Sequence, residues 1–323
     1  MTRARIARII FCFGLLFLLP GCYGLSGGVA TGGNRQLLQE QDVQDPALRR
    51  VAAMVDEGDG EEAFDRLVER FEKEPQAAYP DVALWLAANA LIENGQRIKG
   101  FYYLDQLLDE HSGSPLYYPA ALKQYEIADS YLRNRSDRAF FFPVRMHDEA
   151  IEMLFRVQQR LPGSPLAEQA LKRTADFYFS QGDYDFAEDA YGVFIDRFPR
   201  SEQIPTVRLK QAYSNVLQYN GPRYDPTTLL DASAQLRQFS AEFPEIARQQ
   251  NIPGLLQWID EQLAEKLMIT ADFYRRTGDP EAGRLLLARV TQEYPDTAQA
   301  EDARRDLERN AAPTTRPAAE GQP

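Results

Sequence analysis

Residues 174–183 read TADFYFSQGD, and ninety-six residues later, at 270–279, the chain reads TADFYRRTGD. A near-copied decapeptide in one chain marks a repeated structural unit. Such a unit cannot bury its own apolar face and is stabilised only by stacking on its neighbours. A search for a small residue, then a large apolar one four positions on, then a chain-turning residue eight further on finds six copies. They are Ala63/Leu67/Pro75, Gly100/Leu104/Ser112, Ala150/Leu154/Pro162, Ala187/Tyr191/Pro199, Ala232/Leu236/Pro244 and Gly283/Leu287/Pro295. Five of the six keep the proline, and Ser-Gly-Ser-Pro supplies the turn in the other.

Small residues also recur upstream, at Val51, Ala88, Ala175 and Ala271, each twelve positions before its partner in the second set. Val51 is the poor fit. Small side chains on both helices of a pair let the backbones approach, and the large residue fills the space beside them. Gly58, Gly95, Gly182 and Gly278 sit where the chain must reverse between the two helices. In the third and fifth units the spacing stretches, from Ala128 to Ala150 and from Ala212 to Ala232, and "NRSDRAFFFP" and "YNGPRYDP" are the insertions. About fourteen further residues precede Ala271 and lengthen the first helix of the last unit. This is the tetratricopeptide register. It predicts an all-α fold, a right-handed α-solenoid of about six helix pairs with a C-terminal capping helix. The expected units are 46–75, 80–113, 117–163, 166–199, 203–244 and 252–295, with the cap at 297–310 and a disordered tail at 311–323.

The first residues address the chain. "MTRARIARII" is basic, "FCFGLLFLL" is apolar but shorter than the roughly 20 residues that span a bilayer, and "PGC" follows. Residues 1–21 read as a lipoprotein signal, with Leu19 and Gly21 placed ahead of Cys22 as in a lipobox. Of the two cysteines, Cys12 lies in the signal, so Cys22 would be the sole thiol left, and thioether lipidation gives it a purpose. Several acyl chains on Cys22 would make a durable membrane anchor, which a single chain does not. Tyr23 follows, not an inner-membrane retention Asp, so the outer membrane is the expected destination. Residues 22–45, Gly-rich and then polar, read as a flexible lipidated tether. Without residues 1–21, 33 basic groups stand against 48 acidic ones. That balance argues against nucleic acid and anionic lipid headgroups as partners.

Catalytic chemistry is not written here. His111 and His147 lack metal-ligand spacing, and no phosphate-binding glycine loop or nucleophile elbow occurs. The expectation is no enzyme, no cofactor, no metal and no small-molecule substrate. What remains is a binding surface. In this repeat, positions 2, 5, 9, 12 and 13 of each first helix face a concave groove. Position 9 is Asn89, Asp129, Asp176, Tyr213 and Asp272 in successive units, and Phe179, Arg275 and Arg276 fall at positions 12 and 13. An Asp129/Asp176/Asp272 row would bind basic or amide groups of a peptide. The same row would also arise from solvation or from helix-to-helix hydrogen bonds. In the third-unit insertion, Phe140, Phe141 and Phe142 stand among Arg138 and Arg145, the composition of an interaction hot spot. They could equally tuck against the unit that carries them.

The lipobox, the tether, "AEDAYGVFIDRFPRS" and the closing "YPDTAQAEDARRDL" together resemble the outer-membrane β-barrel assembly lipoproteins of the BamD/YfiO type over residues 46–310. The resemblance implies a non-catalytic, periplasm-facing scaffold anchored at Cys22. It implies as partners the POTRA domains of a barrel-forming component and unfolded outer-membrane proteins. The alternative is a periplasmic scaffold of the same repeat type that coordinates peptidoglycan or division machinery.

Overall fold

The computed structural model describes residues 33–74, 77–133 and 146–311, and among them it contains fifteen helices and no strand. The chain divides into two compact bodies, one ending at Phe177 and the other beginning at Tyr178. The first holds α1 (Asn34–Glu40), α2 (Pro46–Glu57), α3 (Gly60–Lys73), α4 (Pro80–Glu93), α5 (Arg97–Glu110), α6 (Tyr117–Leu132) and α7 (His147–Arg160). Then come α8 (Pro165–Gln181), α9 (Tyr184–Arg197), α10 (Ile204–Gln218), α11 (Thr227–Glu242) and α12 (Pro244–Gln249). The last three are α13 (Ile252–Thr277), α14 (Pro280–Glu293) and α15 (Ala298–Ala311). The fold is all-α and is built from consecutive helix pairs.

The register explains the pairing. All six small residues of the second helices and their large partners four positions on are buried. Gly58, Gly95, Gly182 and Gly278 adopt φ of +89°, +75°, +83° and +96°, the left-handed reversal that only glycine makes without strain. Proline at the first or second position starts α2, α4, α10, α13 and α14, where its missing N–H breaks no intrahelical bond. Two glycines show how tight the pairs are. A Cβ on Gly100 would lie 2.8 Å from the Ala88 carbonyl oxygen and 2.7 Å from Ile92 Cγ1. One on Gly283 would lie 3.0 Å from the Ala271 carbonyl oxygen. Each pair of residues stands twelve apart in sequence, so the spacing is a backbone contact in disguise. Gly100→Ala should therefore destabilise by about 1–3 kcal/mol despite alanine's better helix propensity, read as a lower thermal midpoint.

Two sequence expectations need correction. The buried stripe of α2 is Leu48, Val51, Ala52 and Val55. The small residue in register is thus Ala52, with Leu48, Val51 and Val55 as its apolar companions, and Val51's poor fit came from a one-residue offset. Residues 33–45 are also not tether. They form α1 and a turn, with Leu37, Leu38 and Val43 buried. The alternation of Gln and Glu with only two leucines hid this helix, because its stability comes from what it lies on.

In the second body, Leu209, Tyr213, Val216, Leu229, Leu236, Phe239, Ile252 and Ile259 form one apolar cluster, which the first half of the 26-residue α13 helps to close. The residues inserted before Ala271 build α12 and that extra length. A second cluster joins Ala264, Ala271, Leu287 and Val290 to Ala300 and Ala303 of α15, so the polar last helix covers the final pair with an alanine face.

Candidate functional site

Groove positions are supplied by the first helix of each pair, and each body shows how its own are used. In the first body, with α2 renumbered from Ala52, positions 5, 9, 12 and 13 of the first pair are Arg49, Ala53, Asp56 and Glu57. All four carry bonds from residues 34–43. The Asn34 and Arg35 backbone N–H groups donate to the two Asp56 carboxylate oxygens at 2.7 and 2.9 Å. The Arg35 guanidinium reaches the Ala53 carbonyl at 3.1 Å and pairs with Glu57. Arg49 Nε donates to the Val43 carbonyl at 2.7 Å. At position 5 of the second pair, Trp85 donates its Nε1–H to Asn34 Oδ1 at 3.0 Å. Asn89, at position 9, bonds back to the Trp85 carbonyl of its own helix at 2.8 Å.

Asp129 is buried in the third pair, its carboxylate held by Arg133 at 2.7 Å and by Arg173 of α8 at 2.5 Å. It is a tie between neighbouring first helices, not an open acceptor. Burial, and secondarily the charge of Asp129, raise the Tyr125 hydroxyl above its usual pKa. Asp176 is half-buried and paired with Lys172 at 2.7 Å. His147 stacks edge-on against Phe177 at 4.8 Å between ring centroids.

The sequence reading missed the strongest charge cluster. Asp105 of α5 is buried, and it accepts from Arg156 at 3.0 Å, Arg160 at 2.6 Å and Gln124 at 3.1 Å. Arg160 also pairs with Asp109 at 2.8 Å, and Arg156 with Glu152 at 2.7 Å. Asp105, Asp109, Glu152, Arg156, Arg160 and the exposed Phe155 line a cavity of about 530 Å³ on the second helices. Its only sequence signal is two charge pairs at helical spacing, Asp105/Asp109 and Arg156/Arg160, fifty-one residues apart.

In the second body, Phe179 is half-buried against Tyr184 and Tyr191, at 5.6 and 6.3 Å between centroids, with Lys210 Nζ 5.9 Å above its ring. It is largely a packing residue. Tyr213 is buried too, and burial pushes its hydroxyl up to about 12, so the fifth groove position offers no phenol to a ligand. Arg275 and Arg276 are exposed, Asp272 is half-buried, and its carboxylate is shared between the two arginines. Asp272 and Arg275 line a cavity of about 510 Å³ with Met268, Gly283, Arg284, Leu287 and Asp306. Of the groove residues read from the sequence, Asp272, Arg275 and Arg276 are the ones the structure brings together at the surface.

Cys22, Arg138, Phe140, Phe141, Phe142 and Arg145 lie outside the described residues. Among the described residues no group of three or more His, Cys, Asp or Glu is arranged to hold a metal ion. Nor is any helix among them long and apolar enough to cross a membrane.

The pattern of the YfiO outer membrane lipoproteins matches residues 145–316, more than half of the chain. The chain belongs to that family. The matched span of this YfiO-family lipoprotein runs from α7 to α15 and includes Asp176, Phe179, Asp272, Arg275 and Arg276. No curated protein matches it. Among solved structures it is similar to the C-terminal part of a TPR repeat-containing protein from Cytophaga hutchinsonii. That likeness has 13% identity and a TM-score of 0.36, covering 93% of this chain and 94% of the other. A tetratricopeptide repeat protein from Parabacteroides merdae is similar at 13% identity and a TM-score of 0.33, covering 85% and 98%.

Proposed function

We propose that this chain is a non-catalytic scaffold for outer-membrane β-barrel assembly, held to the periplasmic face of the outer membrane by acyl chains on Cys22. The observation that carries this reading is membership of the YfiO outer membrane lipoprotein family over residues 145–316. The helix-pair fold supports it, because such pairs present extended faces to other proteins. The partners proposed are the POTRA domains of a barrel-forming component and unfolded outer-membrane proteins. The surfaces proposed for them are the Asp272, Arg275 and Arg276 cluster and the insertion that carries Arg138, Phe140, Phe141, Phe142 and Arg145. Within the first body, the half-buried Asp176 is a further candidate contact, and the buried Asp129 ties α6 to α8.

Depletion of the protein is expected to lower outer-membrane barrel proteins several-fold. Affinity purification from mildly solubilised membranes is expected to recover a POTRA-bearing chain, more weakly when Phe140, Phe141 and Phe142 are all changed to alanine. Normal barrel levels, together with recovery of peptidoglycan-binding proteins alone, would overturn the reading in favour of an envelope scaffold.

A further inference from the structure

Helix α4, PDVALWLAANALIE, is apolar all round, and Val82, Leu84, Trp85, Leu86 and Leu91 are all buried. A helix of this kind needs cover on every side. On its groove side, within the first body, the Trp85 indole is bonded to Asn34, the first residue of α1. The hydrogen bonds that leave residues 34–43 for other elements end on groove positions of α2 or on Trp85: Asp56 at 2.7 and 2.9 Å, Ala53 at 3.1 Å, Arg49 at 2.7 Å and Trp85 at 3.0 Å. Leu37, Leu38 and Val43 are the apolar side chains buried with them. Residues 33–43 therefore lie along the groove positions of α2, with Trp85 of α4 at their first residue, as a bound segment would. At seven residues, α1 is far below the length at which a helix persists alone in water, so it is helical because it is seated. The turn that leads away passes through Asp42 at φ +51°, a left-handed conformation that a single Asp tolerates.

We propose that the groove of α2 and α4 is a binding site for a short amphipathic helix with two adjacent leucines, that α1 is its resident occupant, and that a partner segment of the same chemistry enters by displacing α1. The site's chemistry is specific. The Asp56 carboxylate takes the free N–H groups of the incoming first turn, and Glu57 takes a cation there. Two adjacent aliphatic side chains fill the positions of Leu37 and Leu38, and the Trp85 indole asks for an amide or carboxyl oxygen at the start of the helix. This deepens the scaffold reading, on which it relies only for what the displacing segment belongs to.

The test uses the purified full chain with Trp258→Phe, which leaves Trp85 as the one tryptophan. Amide hydrogens of 34–44 should exchange at least about tenfold faster than those of α2 and α4, because a short seated segment opens locally. With Leu37→Asp and Leu38→Asp added, the Trp85 emission should shift to the red while helicity is kept. A synthetic peptide of residues 33–45 should then restore it saturably, and the unaltered chain should bind that peptide far more weakly. Asp56→Ala in the same background should weaken the peptide about tenfold. Protection of α1 amides equal to that of α2, a peptide that fails to restore the emission, or equal binding to both chains would each overturn the proposal. If the double variant does not fold, the exchange measurement on the unaltered chain decides. None of these readouts depends on barrel assembly, so either proposal can fail alone.

Discussion

Asp105→Ala is expected to lower the stability of the first body by about 3 kcal/mol, seen as a shift of the urea midpoint with little change in slope. The carboxylate sits between the guanidinium groups of Arg156 and Arg160 and accepts the Gln124 amide. Removing it strands charge that folding has already taken out of water. Arg160 is the more serious loss, since its side chain is 16% exposed against 37% for Arg156. Asp109 and Glu152 keep one bond to each arginine, which holds the cost to the lower end of the range for breaking a buried pair. The sharper check is a comparison. Changing Asp105 and Arg160 together to leucine should cost less than Asp105→Ala alone, because the more deeply buried arginine is gone, Arg156 keeps Glu152, and the Asp109 carboxylate that loses its partner is solvent-exposed. Equal losses in the two variants would mean that the cluster acts by filling space and not by pairing charge.

Phe239→Ala should cost the second body about 3–5 kcal/mol, enough to lower its melting temperature by several degrees or more. The ring is 1% exposed, lies in the cluster built by α10, α11 and α13, and meets the Phe243 ring at 5.2 Å between centroids. It is held by neighbours on several helices, so the space left by alanine cannot collapse fully, and the cavity adds to the lost transfer free energy. Phe239→Leu should cost no more than about 1.5 kcal/mol, because most of the volume is kept. A small loss for alanine would show that the extra turns of α13 settle inward and that this junction is looser than its burial implies.

Most of the fold was legible because its rules are local. A small residue where backbones touch, a large one four positions on and a glycine at the reversal are each needed by one helix pair. Gly100 over Ala88 and Gly283 over Ala271 show the same contact twice. The groove was less legible. Asp129 reads in sequence like Asp272, yet Arg173, forty-four residues on, turns the first into an internal tie while the second stays at the surface. Phe179 fell at a groove position, and Tyr184 and Tyr191 drew it into packing. In the Asp105 cluster the arginines lie fifty-one and fifty-five residues on, and no periodicity links acids on α5 to arginines on α7. Residues 34–40 carry too few apolar side chains to announce a helix. They form one because α2 supplies the Asp56 cap, α4 supplies the Trp85 indole, and Leu37 and Leu38 are buried in the fold, none of which seven residues can provide for themselves. The amino-acid order thus settled the helices of the six pairs and how each pair closes, since those depend on neighbours within about forty positions. Which groove face is open, tied or already filled was settled by contacts between pairs, where charge and burial are decided by residues that sequence distance keeps apart.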